Sequence, residues 1–136
     1  MSGERDLSIL LASMAPALDS ERYVFCTIPE LSIPDEIKIK GCFAEPEGMT
    51  LIVTANEADA HQLQYNGVFR CITLTVHSSL DAVGLTAVVA SQLASENISA
   101  NVVAAYYHDH IFVAESDAAK AVDALTALAR QYANDG

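Results

Sequence analysis

The forty residues from Leu74 to Val113, LTVHSSLDAVGLTAVVASQLASENISANVVAAYYHDHIFV, change hydrophobic period twice, and that leaves few folds open to them. Alternating apolar residues up to His77 ask for a strand. Leu85, Val88, Val89 and Leu93 recur at helical spacing, and β-branched and aromatic residues return from Asn101. The segment reads strand, glycine-bearing turn, amphipathic helix, strand, tight turn, strand.

Its boundaries follow from local chemistry. Val68 to His77 sets Ile72, Leu74 and Val76 on one face and Cys71, Thr73, Thr75 and His77 on the other. Glu96-Asn97 closes a helix of about three turns. Asn101 to Tyr107 and His110 to Ala114 form a hairpin around a turn at His108-Asp109-His110. Ser116 is a suitable N-cap for a last helix whose stripe is Ala118, Val122, Leu125, Ala129 and Tyr132.

The first half is less regular. Leu7, Leu10, Leu11 and Met14 predict a short helix ending near Ala15, ahead of Pro16. Tyr23 to Ile28 predicts a strand. Ile39–Glu45 and Met49–Thr54 predict a hairpin about Pro46-Glu47-Gly48, and Asn56 caps a short helix through Leu63 before the break at Asn66-Gly67.

These elements give the fold class α+β: two ferredoxin-like units, residues 1–66 and 67–136, with antiparallel sheets and helices packed on one face. The second unit spells βαββα and lacks the fourth strand of a complete sheet. Tyr23 to Ile28 is the strand expected to cover that edge.

Charge narrows the function. Aspartate and glutamate outnumber lysine and arginine by 18 to 7, a net charge of -11 that repels phosphate backbones and anionic lipid, so nucleic acid and membrane are not expected partners. The start MSGERDLS is charged where a secretory signal needs apolar residues, and no apolar run approaches the roughly 18 residues of a membrane span. A cytoplasmic protein is expected. Cys26, Cys42 and Cys71 are odd in number and set in apolar contexts, which predicts buried free thiols.

The candidate site is the turn Asp81-Ala82-Val83-Gly84-Leu85. Glycine lets a ligand approach the backbone there, and the N–H groups of the following helix suit a carboxylate. The alternative reading makes Asp81 an N-cap and Gly84 a close contact between elements. His108-Asp109-His110 carries zinc-ligand chemistry, but strand alternation separates Asp109 from the histidines and no further ligands complete a shell, so neither metal nor cofactor is expected. Asp109 is suited instead to an ammonium or guanidinium at the hairpin tip, with Tyr106 and Tyr107 offering one ring to each face; a turn aspartate bonding its own backbone is the alternative. Ser78 and Ser79 beside His77 form no nucleophile elbow, and His61, His77, His108 and His110 are dispersed, so no enzyme is expected.

These residues resemble the ACT domain family, whose ligand motif is an aspartate or asparagine followed by Pro-Gly and leucine at the first strand-to-helix turn. Asp81, Gly84 and Leu85 match it, with Val83 in place of the proline. ITLTVHSSLDAVGLTAVVASQLASENISANVV with YYHDHIFV, and YVFCTI and FAEPEGMTLIV before them, look like short bacterial tandem-ACT proteins of unassigned function. That group is similar to the ACT regions of aspartate kinases and of cytosolic arginine sensors. The resemblance implies an amino-acid site drawing on Val83, Gly84 and Leu85 and on Asp109. It implies a regulatory protein, paired as a homodimer and acting on an effector protein. A pairing module without ligand and a small metal-dependent enzyme using the His-Asp-His turn are the alternatives.

Overall fold

The computed structural model describes residues 6–29, 33–75 and 84–135. The chain divides into two compact units, Glu21–Phe69 and the remainder, so the boundary falls inside a strand. The architecture is α+β and ferredoxin-like, as the periodicity predicts.

The larger unit gathers both ends of the chain. Helix α1 (Leu7–Ser13) begins at Asp6, whose carboxylate accepts the Ile9 N–H at 3.2 Å. Its Leu10 and Leu11, with Met14 just after it, enter one core with Leu85, Val89 and Leu93 of α3 (Leu85–Ser95) and Ala121, Leu125 and Leu128 of α4 (Ala118–Asp135). The sheet side of that core is Ile72 and Leu74 of β4 (Phe69–Leu74) and Ile111 and Val113 of β6 (Asp109–Ala114). Strand β5 (Ala100–Ala104) pairs antiparallel with β6 from Ala100 opposite Val113 to Ala104 opposite Asp109.

The edge that βαββα leaves open is covered, but by different residues from those expected. Strand β1 runs from Pro16 to Ile28, and its beginning lies beside β4, giving the order β1-β4-β6-β5. Thr75 donates from its N–H and hydroxyl to the Ala15 carbonyl at 3.3 and 2.9 Å, and Arg70 donates to the Asp19 carbonyl at 2.7 Å. Pro16–Ser20 therefore does what Tyr23–Ile28 was expected to do. Pro16 marked only the end of the preceding helix in the sequence; on an edge, a prolyl residue with no N–H costs little.

Two local readings in this unit shift and one holds. The β5–β6 turn is Ala105–His108, closed by Ala105 N–H to His108 O at 3.1 Å, so Asp109 and His110 already belong to β6. Ser116 lies within a 3-10 turn (Glu115–Asp117) before α4. The end of α3 is as predicted: Asn97 takes φ 61° and its N–H bonds to Ala94 O at 2.9 Å.

In the smaller unit β1 pairs with β3 (Gly48–Thr54), Tyr23 opposite Thr54 and Ile28 opposite Met49, and β2 (Gly41–Glu45) pairs with the other side of β3. Val24, Cys26, Ile28, Leu51 and Val53 form its core with Ala55 and Ala58 of α2 (Ala55–Ala60). The cap of α2 is Thr54, whose hydroxyl accepts the Glu57 N–H at 3.1 Å, and not Asn56. The last residue of the strand already has the extended backbone a cap needs, which moves Asn56 into the first turn.

Candidate functional site

Gly84 is the N-cap of α3 with φ 99°, a conformation that disfavours any residue with a Cβ. Its carbonyl receives the first helical bond, from Val88 N–H at 2.9 Å, and among the described residues no side chain caps the helix. Leu85 is 3% exposed and points into the core, so only its backbone is available to a ligand. Asp81 and Val83, the other sequence-derived site residues in this turn, lie outside the described residues, as do Val76, His77, Ser78 and Ser79.

The start of α3 and Asp109 share one end of the unit. Eleven helical residues at about 1.5 Å and five strand residues at about 3.3 Å both span about 16 Å, so β5, which follows α3 after a short link, returns the chain to the level of Gly84. There it meets Asp109, directly across from Ala104. Strand alternation sets Asp109 on the side of Ile111 and Val113, which is the helix side.

Burial raises the pKa of Asp109, and the neighbouring charges of His110 and then His108 oppose the rise only in part. A partly desolvated carboxyl at the end of a strand lacks the solvation that a ligand cation would restore. His110 faces the other side, where its Nδ1 is 3.0 Å from Thr73 Oγ1 of β4. Tyr106 and Tyr107 occupy the hairpin tip, packed edge to face with centroids 4.9 Å apart and largely exposed, so Tyr106 stands beyond the sheet rather than lining one of its faces. Among the described residues no group of three His, Cys, Asp or Glu side chains is placed to hold a metal ion.

An ACT domain model matches residues 2–70, and a second matches residues 68–127. The chain belongs to the ACT domain family. Tandem ACT domains are typical of ligand-binding regulatory modules. A Vibrio cholerae protein of unknown function, described as a possible transport protein, is 47% identical over 90% of this chain and 95% of its own, with a TM-score of 0.82. An Agrobacterium tumefaciens protein shares the fold at 17% identity and TM-score 0.71, covering 85% of this chain and 89% of its own. The ligand-free regulatory subunit of Thermus thermophilus aspartate kinase does so at 11% and 0.62, covering 85% and 96%. No curated protein matches.

The N-terminal part of this ACT protein holds features that the sequence reading passed over. A hollow of about 400 Å³ is walled by Lys38 and Lys40, by Glu21 and Tyr23 of β1, and by the β3–α2 junction. A broader depression of about 790 Å³ lies by Phe25, Cys26 and Thr27 of β1 and residues 63–66, with hydroxyl and amide groups but no charged side chain. The one local signal of the first hollow in the sequence is the i, i+2 basic pair Lys38 and Lys40 in an acidic chain. The thiols divide: all three are outside disulfides, Cys26 and Cys71 buried as expected and Cys42 exposed, because its strand β2 is covered on neither face.

Proposed function

We propose that this protein is a non-enzymatic regulatory sensor. It binds an amino acid where the start of α3 at Gly84 and Leu85 shares an end of the unit with Asp109, with Asp81, Val83 and Tyr106 completing the site. The ligand carboxylate takes the first N–H groups of α3 and its cationic group takes Asp109. The observation that carries this reading is Gly84 itself, a left-handed N-cap at the strand-to-helix position of a tandem ACT chain. The acidic balance of the chain also favours a ligand with a cationic group.

In this reading the protein acts in the cytoplasm and passes occupancy to an effector protein as a homodimer. Strand β2 supports self-association, since Cys42, Phe43 and Ala44 are exposed at a sheet edge with no charge among them. That same edge favours the second reading, a pairing module without ligand.

A thermal-shift screen against the standard amino acids separates the two. Saturation at about 100 times the dissociation constant stabilises the fold by about 2.7 kcal/mol, a melting shift of about 5–10 °C. A shift lost in Asp109→Asn supports the sensor; no shift with any amino acid, in a protein that still self-associates, leaves the pairing module.

A further inference from the structure

Only seven of the 136 residues are lysine or arginine, yet two of them, Lys38 and Lys40, line one hollow of the smaller unit. Two ammonium groups brought to one cavity repel each other unless the walls answer them, and here Glu21 and Glu57 line the same space. The formal charge of the lining is therefore zero, made of two groups of each sign.

Several of these groups are held. The Lys40 ammonium sits 5.6 Å from the ring centroid of Tyr23, which is itself only 5% exposed and forms a firm wall. One Glu57 oxygen accepts the Lys38 backbone N–H at 3.4 Å and lies 3.6 Å from His61 Nε2. Thr54, whose hydroxyl oxygen accepts the Glu57 N–H, keeps its own O–H to donate into the space it lines.

We propose that this hollow is a binding site for a zwitterion of the free amino-acid class, with the carboxylate at Lys38 and Lys40 and the ammonium at Glu21 and Glu57. Its volume, about 400 Å³, falls in the range of about 300–1,000 Å³ usual for small-ligand pockets. An inorganic anion answers only the lysines and must sit beside two carboxylates, and a simple cation meets the opposite conflict. The site is separate from the one at Gly84 and Asp109 and does not depend on it.

The test is nuclear magnetic resonance of the ¹⁵N-labelled full chain, titrated with each standard amino acid, with acetate, methylammonium and inorganic phosphate as controls. The expected result is that at least one amino acid moves the amides of Lys38–Lys40 and Thr54–Glu57 while the controls at equal concentration do not. In the Lys38→Gln/Lys40→Gln variant, whose substituted side chains are exposed, those shifts should need about tenfold more ligand or more, with the melting temperature of the free protein kept. The proposal is overturned if no amino acid moves these amides, if phosphate moves them equally, or if the variant retains wild-type affinity. Shifts confined to residues 85–87 would likewise overturn it and support the Gly84 site; shifts confined to the lysine hollow would uphold it and remove the Gly84 site.

Discussion

Leu7 of α1 lies over Gly84, so close that a methyl group built on Gly84 would stand 3.1 Å from Leu7 Cδ2. The first helix of the chain thus lies against the turn that begins α3, and Gly84 serves packing as well as any ligand. Gly84→Ala should cost about 1–2 kcal/mol, from the positive φ more than from the contact, because a leucine tip can move and the backbone cannot. Chemical denaturation measures it. Adding Leu7→Ala should not restore stability; full recovery in the double variant would show that the contact, not the φ angle, sets the cost.

Asp109 gives a pH signature. Its folded pKa is raised by burial, so the folded state holds the proton more tightly than the unfolded chain does. Below the unfolded value of about 3.9 the carboxyl is protonated in both states and nothing is lost. As pH rises through the raised folded value, the buried charge costs stability, and the cost is complete above it. Asp109→Asn should therefore be more stable than wild type at pH 7 by more than it is at pH 3. Melting curves at the two pH values decide it, and an equal difference at both would mean that Asp109 is as solvated in the fold as outside it.

Thr54 and Asn56 separate the observed cap from the one the sequence suggested. Thr54→Ala removes the acceptor for the Glu57 N–H and should cost about 1 kcal/mol, whereas Asn56→Ala should be neutral or slightly stabilising, since alanine is the better residue inside a helix. Urea unfolding of the two variants in parallel tests the ranking, and the reverse order would return the cap to Asn56.

What was legible in the sequence follows from how each signal is made. The α3 stripe of Leu85, Val89 and Leu93 and the Pro46-Glu47-Gly48 turn are local, so periodicity and turn chemistry located them. The role of Pro16–Ser20 was not legible, because its partner β4 lies some fifty residues away in the chain. Cys42 looked buried because Gly41–Ala44 is apolar; nothing within five residues tells a strand that it will be an edge. At the candidate site Gly84 was read from its residue type, and Asp109 was read as a turn residue, whereas it is the first residue of β6. The lysine hollow escaped because it draws on β1, the 38–40 segment and the β3–α2 junction, which only the fold assembles.

The exposed edge of β2 makes the last prediction. Phe43 is 71% exposed, and Cys42 beside it is exposed while Cys26 and Cys71 are buried, with burial also raising the Cys26 pKa and so lowering its thiolate fraction. A thiol reagent applied to the native protein should therefore label one cysteine rapidly and the other two at the rate of unfolding. If β2 meets a second copy, labelling of Cys42 should slow as protein concentration rises, and Phe43→Glu, which sets like charges against each other across a self-paired edge, should abolish that dependence and the associated light-scattering mass. A Cys42 rate independent of concentration, in a protein that light scattering finds to be dimeric, would place the pairing surface elsewhere and leave β2 as an edge exposed in the dimer as well.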